Sequence, residues 1–103
     1  MTTKRHKTVR QPPASRRRKL TESNVATVPD AAGAYVLYAK QGAVVYVESA
    51  TSLRKRLSQH RTTGRVPAES FTFWLVPNMD AARELEQKLI ERYEPSYNVT
   101  HAA

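Results

Sequence analysis

Gly33-Ala34-Tyr35-Val36-Leu37-Tyr38-Ala39, Lys40-Gln41-Gly42, Ala43-Val44-Val45-Tyr46-Val47-Glu48: these residues, 33–48, decide the fold. The runs Ala34 to Ala39 and Ala43 to Val47 are rich in β-branched and aromatic residues, which suit a pleated surface, and they predict two strands. Lys40-Gln41-Gly42 is a tight connection in which Gly42 is free to take positive φ, so the strands form an antiparallel hairpin. Both runs are apolar on both faces, which predicts helices covering the sheet on each side.

Outward from the hairpin, Leu53, Leu57 and His60 repeat at helical spacing, with Thr51 or Ser52 as the cap and Arg54, Lys55 and Arg56 between them. Thr62 to Ser70, with Gly64 and Pro67, reads as a loop. Phe71 to Val76 reads as a third strand, closed by Pro77 and Asn78. Asp80 is a cap for a second helix that runs to about Tyr93 and stops before Pro95. Val25 to Asp30 and Ser96 to Val99 read as extended. The order β-β-α-β-α predicts an α+β fold: a small three-stranded antiparallel sheet flanked by helices.

The chain has 103 residues and no cysteine, which excludes disulfides, thiolate metal sites and a cysteine nucleophile. It shows no apolar run of membrane-spanning length and no signal-like start, so a soluble, non-exported protein is expected. The net charge is +8, and its placement is uneven. Residues 1–24 hold Lys4, Arg5, Lys7, Arg10, Arg16, Arg17, Arg18 and Lys19 against Glu22 alone. With almost nothing apolar to bury, this stretch reads as a disordered basic arm over 1–24, ahead of a folded domain at 25–103. Such an arm suits a polyanion, and nucleic acid is the common one.

Three groups could carry chemistry. On the second helix Ala81, Ala82, Leu85, Leu89, Ile90 and Tyr93 share one face, and Glu86 falls within that arc. A carboxylate there either swings out to water or holds a cation. Oxygen ligation of that kind suits magnesium or manganese. Arg56 and His60 share a face of the first helix, as part of a solvated basic surface or as a phosphate fork with a proton carrier beside it. Tyr35 and Tyr46 are either core tyrosines or a functional pair. An even-numbered loop would pair positions whose indices sum to 81, bringing the two phenols opposite each other on one face; an odd loop would split them. The sequence contains no glycine-rich phosphate loop, helical His pair or serine elbow.

From about Val28 to Val99 the chain resembles a minimal GIY-YIG nuclease domain, like that at the N-terminus of the excision-repair incision subunit. Gly33-Ala34-Tyr35 and Tyr46-Val47-Glu48 stand at its two motifs, and Ala50 to Leu57 resembles its arginine helix. Leu85-Glu86 and the tail Tyr93 to Val99 resemble its metal-glutamate helix and closing segment. The resemblance implies an endonuclease using Mg2+ or Mn2+, with Glu86 as the metal ligand and Arg56 stabilising the transition state. Tyr35, helped by Tyr46 or His60, would take the proton from water, and Asn98 would orient its neighbours. Lys4, Arg5, Lys7, Arg10, Arg16, Arg17, Arg18, Lys19, Arg54 and Lys55 would contact nucleic acid: DNA, with RNA as a second candidate. The protein is taken as a monomer, without a membrane partner, in the cytoplasm at the nucleoid, or in the nucleus of a eukaryote. One departure stands out. Glu48 occupies the usual glycine of the second motif and Ser49 a frequent lysine, which opens the alternative of a nucleic-acid-binding module that cuts weakly or not at all.

Overall fold

The computed structural model describes residues 14–101, with side chains up to Asn98. Its elements are β1 (Arg18–Lys19), α1 (Glu22–Ala26), β2 (Gly33–Tyr38), β3 (Val44–Ala50), α2 (Leu53–Thr63), β4 (Ser70–Leu75), α3 (Met79–Tyr93) and α4 (Ser96–His101). The sheet is antiparallel with the order β1-β4-β2-β3. It has four strands rather than three, because the short β1 adds itself to the outer side of β4.

Alternation along the central strand β2 sends its side chains to two separate cores. Tyr35 and Leu37 pack with Leu53 and Leu57 of α2 and with Val25, Val28 and Phe71. Ala34 and Val36 pack with Val47, Trp74 and with Leu85 and Leu89 of α3. The two-sided apolar pattern of the sequence is thus met by a helix layer on each face. Gly33 starts β2 at a point of close approach. A Cβ there would lie 2.1 Å from the Trp74 carbonyl oxygen and 2.6 Å from Leu53 Cδ1, which only glycine avoids.

The hairpin reaches the expected facing by a different route. Its loop, Lys40-Gln41-Gly42, is odd, with Gly42 at φ +94° and Ala39 N–H donating to the Ala43 carbonyl at 2.8 Å. Tyr38 then pairs with Val44 but Leu37 with Tyr46, so Val45 is an extra residue that restores the alternation. Tyr35 lies opposite Glu48, not opposite Tyr46, and the two tyrosines are diagonal neighbours on one face with ring centroids 6.4 Å apart.

Three segments differ from the sequence expectation. The arm does not extend to residue 24 as a disordered strip: Ser15 exchanges hydrogen bonds with Phe73, β1 pairs with β4, and Leu20 packs on the core. The residues before 14 lie outside the described part. Instead of an extended lead-in, Thr21 caps α1 by accepting from Asn24 N–H at 3.2 Å, and the helix buries Val25. Ser96 onward is helical instead of extended. The helix caps are Ser52 for α2 and Asn78, rather than Asp80, for α3. The Asp80 carboxylate sits in the first turn instead, where the helix dipole favours it. At the other end of α3, Glu94 takes a left-handed φ of +46° and its N–H returns to the Ile90 carbonyl, before Pro95.

Candidate active site

The site grows from β3, which alternates like β2. Tyr46 and Glu48 face α2, whereas Val47 and Ser49 face α3. On the α2 side Tyr35 is fully buried, and its hydroxyl donates to Glu48 Oε1 and lies 2.7 Å from His60 Nε2. Arg56 forks onto the same carboxylate, Nε to Oε1 at 2.9 Å and Nη2 to Oε2 at 3.2 Å, while its Nη1 donates to Gln59 at 2.7 Å. The Tyr46 ring stands edge-on to His60 with centroids 5.3 Å apart. His60 Nε2 is 3.9 Å from Glu48 Oε1.

The charges in this network set one another. Burial alone would push the Glu48 carboxyl up, but His60, Arg56 and Tyr35 together outweigh it and hold it at about 2. Burial, and then the adjoining Glu48 charge, push the Tyr35 phenol well above its ordinary value, and Tyr46 moves the same way for the same reasons. The hydrogen bonds to Glu48 keep Arg56 more firmly protonated than usual.

On the other side of β3, Glu86 reaches the outer strand from α3. Its Oε1 accepts from the Ser49 N–H at 3.1 Å and from the Ser49 hydroxyl at 2.5 Å. Asn98 of α4 does the same one rung away, accepting from Val47 N–H at 2.7 Å and donating to its carbonyl at 2.8 Å. Glu86 is half-buried, so it neither sinks into the core nor swings free. Ser49, held by Glu86, lines a shallow recess of about 260 Å³ together with Arg56, Gln59 and Lys55, which brings the two sides of the strand to a common rim. Among the described residues no three His, Cys, Asp or Glu gather into a ready-made metal cluster. Glu86 lies behind that recess through its bonds to Ser49, and a lone half-buried carboxylate fits a hard cation that keeps most of its water.

Beyond that rim, Tyr46, Arg56, His60 and Gln59 line an open cleft of about 690 Å³, which Arg65 and Tyr97 complete. Gln59, Arg65 and Tyr97 were not among the sequence candidates. Gln59 carries a readable signal, sitting one helical step from Arg56, whereas Arg65 lies in a loop with no periodicity to place it.

The basic residues expected on nucleic acid do not all converge here. Lys4, Arg5, Lys7 and Arg10 lie outside the described residues. Arg17, which stacks over the Tyr38 ring at 4.9 Å, lines a small recess at the hairpin turn with Arg18, Lys19 and Lys40. Arg18 also donates to Thr27 Oγ1, and Arg16 is exposed. Arg54 spends its Nε on the Val28 carbonyl at 2.9 Å, while Lys55 stays exposed beside the Arg56 recess.

Residues 31–99 match the model of the UvrC-like GIY-YIG domain. The chain belongs to the GIY-YIG family. This GIY-YIG domain is 37% identical over 87 residues to the UvrABC system protein C of Moorella thermoacetica, a match covering 77% of the chain and 14% of that relative. It is 36% identical over 80 residues to the same protein of Methanothermobacter thermautotrophicus, covering 70% of the chain and again 14% of the relative. The chain therefore spans about a seventh of the length of these curated relatives. Among solved structures, the GIY-YIG N-terminal endonuclease domain of UvrC from Thermotoga maritima, bound to its catalytic magnesium, superposes with a TM-score of 0.61 at 27% identity, covering 74% of this chain and 92% of that one. A point mutant of that domain, also bound to its divalent cation, superposes at 0.63 with 25% identity, over 73% and 90% of the two chains. The fold and the nuclease-domain family are those the hairpin motifs implied.

Proposed function

We infer that this domain is a divalent-metal-dependent endonuclease that hydrolyses DNA phosphodiester bonds. The observation that carries the reading is the meeting, around one short stretch of β3, of a phenol, an imidazole and a guanidinium on one side with the Glu86 carboxylate, bonded to Ser49, on the other. Phosphoryl chemistry asks for positioning and charge neutralisation, and these groups supply both. Glu86 would hold the Mg2+ or Mn2+, whose bound charge stabilises the phosphate and the leaving oxygen.

Tyr35 takes the proton from the attacking water. With its own ionisation made difficult by burial, a waiting phenolate is disfavoured. The phenol therefore accepts the water proton as it passes its own to His60, whose Nε2 lies 2.7 Å away; Glu48, held at about 2, is too weak a base to take it. Tyr46, edge-on to His60, assists from the cleft side. Arg56 stabilises the five-coordinate phosphorus, and Asn98 fixes the β3 backbone between Tyr46 and Glu48. DNA approaches through the open cleft and reaches Lys55 at the adjoining recess and Arg54 farther along the exposed face of α2. The basic residues of the N-terminal segment, Lys4, Arg5, Lys7, Arg10, Arg16, Arg17, Arg18 and Lys19, tether the domain to the polyanion, which locates it with the DNA in the cytoplasm.

A second reading, a nucleic-acid-binding module that does not cut, is favoured by the pairing of Glu48 with Arg56, since that pair neutralises the very charge a phosphate would seek. One assay separates the two. Purified protein with magnesium or manganese nicks supercoiled plasmid, and Glu86→Ala, equally folded, nicks at least about 100-fold more slowly. Intact plasmid with the wild-type protein, metal present and fold verified, leaves the binding module as the answer.

A further inference from the structure

Glu48 takes no part in the proposed proton transfer, yet it bonds Tyr35 and Arg56 and lies 3.9 Å from His60. It faces α2 from a strand position where a smaller residue would leave the Arg56 fork and the Tyr35 hydroxyl without this partner. Its carboxylate presents two oxygens to the Arg56 fork, as a phosphate does, at 2.9 and 3.2 Å. It also accepts from the buried Tyr35 hydroxyl behind the fork. A side chain with these partners is an internal stand-in for the ligand.

We propose that Glu48 is an affinity-setting residue that competes with the DNA phosphodiester for Arg56, so that a phosphate enters the site only by displacing the carboxylate from the guanidinium. This rests on the reading of Arg56 as the phosphate-binding group. Two points give the competition its force. Arg56 is charge-neutralised while it holds Glu48, so the cleft loses one of its two arginine charges, Arg65 keeping the other. A phosphodiester that reached Arg56 without displacing Glu48 would sit beside a second anion in a half-buried setting, where like charges repel strongly. Displacement is feasible because Arg56 lies at the surface, 40% exposed, and Gln59 holds its other edge as Glu48 lets go. The consequence is selectivity for substrates that bring a high local phosphate density, and weak retention of isolated anions.

The test measures binding, so it does not depend on whether the domain cuts. Full-length protein is titrated with a short DNA duplex at fixed salt in the presence of a chelator. Glu48→Gln, which keeps the shape and removes the charge, binds about tenfold tighter than wild type, because the competing anion is gone. Glu84→Gln, which removes the same charge from an exposed position on α3, changes affinity by less than about twofold. In an Arg56→Ala background the gain from Glu48→Gln shrinks, because relieved repulsion remains but no guanidinium is released. Equal or weaker binding by Glu48→Gln, or a gain of undiminished size without Arg56, overturns the proposal. If Glu48→Gln fails to fold, the wild type decides alone. Inorganic phosphate should shift the Arg56 Nε resonance in a saturable way, with a midpoint in the high millimolar range. A resonance that never moves, or that saturates below a millimolar, overturns the competition. An intact plasmid in the nicking assay would count against the endonuclease reading and leave this result untouched.

Discussion

The two faces of the sheet are built from the same strands and differ in kind. Toward α3 the contacts are mostly apolar: Ala34, Val36, Val47, Trp74, Leu85 and Leu89 close on one another, the buried Thr72 hydroxyl is satisfied by Tyr38, and Glu86 grips the strand edge. Toward α2 an apolar base of Leu37, Leu53, Leu57 and Phe71 gives way, at one end, to a cluster of buried hydroxyl and imidazole with part-exposed carboxylate and guanidinium. Buried polar groups contribute little net stability even when fully partnered, whereas close-packed apolar side chains contribute most of it. The α3 face therefore holds the domain together, and the end of the α2 face is where chemistry can be carried.

The division is broken most forcefully by exchanging its predicted effects. Leu89→Ala on the α3 face should cost about 2–4 kcal/mol and lower the melting temperature by more than about 10 °C, while the protein that remains folded keeps its nicking rate. Tyr35→Phe should do the reverse, removing at least about 100-fold in nicking for only about 1–2 kcal/mol of stability. Thermal melts and plasmid nicking on the two variants check both statements. A Tyr35→Phe protein that unfolds outright, or a folded Leu89→Ala protein that cannot nick, would erase the distinction.

A smaller effect sharpens it through pH. The Glu48 carboxyl lies at about 2 in the folded protein against an ordinary value of 4.5. A carboxyl depressed on folding stabilises the native state fully above its unfolded pKa, and that contribution is lost as pH falls toward the folded one. Denaturant midpoints should hold steady from neutral pH to about 5 and then fall between about 4.5 and 2, and Glu48→Gln should flatten part of that fall. A wild-type and a variant profile of identical slope would mean that the cluster adds nothing to stability. The smallest effect lies at the end of α3, where Glu94 is held at φ +46°. Glu94→Gly relieves that left-handed strain while loosening the unfolded chain, so a net gain of about 0.5 kcal/mol is expected in denaturant titrations. A loss there would show that the Glu94 side chain makes up for its backbone.

Most of this division was legible in the order of residues. The two-sided apolar character of residues 34–38 announced a sheet covered twice, and the spacing of Leu53, Leu57 and His60 announced the helix that brings His60 to Tyr35 and Arg56 to Glu48. The shared face of Tyr35 and Tyr46 was readable only as one of two parities. The odd loop alone would have split them, and the extra residue Val45 restores the match, a correction that arises from pairing and not from composition. The role of residues 15–24 was hidden for a related reason. Their charge reads as solvation, but their main chain supplies a strand to β4 and Thr21 a cap to α1, and backbone hydrogen bonding leaves little trace in side-chain type. Glu86 was visible as a misfit in an apolar arc. That it grips Ser49 depends on α3 crossing the outer strand, a tertiary fact beyond any local pattern.

Asn98 gives Val47 one acceptor and one donor, the pair that the peptide group of another strand would give. β3 is the outermost strand on that side, and its run Val44-Val45-Tyr46-Val47 is apolar and rich in β-branched residues. A bare edge of that composition is a template on which other chains stack and grow. The side-chain amide ends the ladder with a rung to which nothing further can be added. A chain cut short before Asn98 would therefore lose more than an orienting group: it would expose an adhesive edge and trade solubility for self-association.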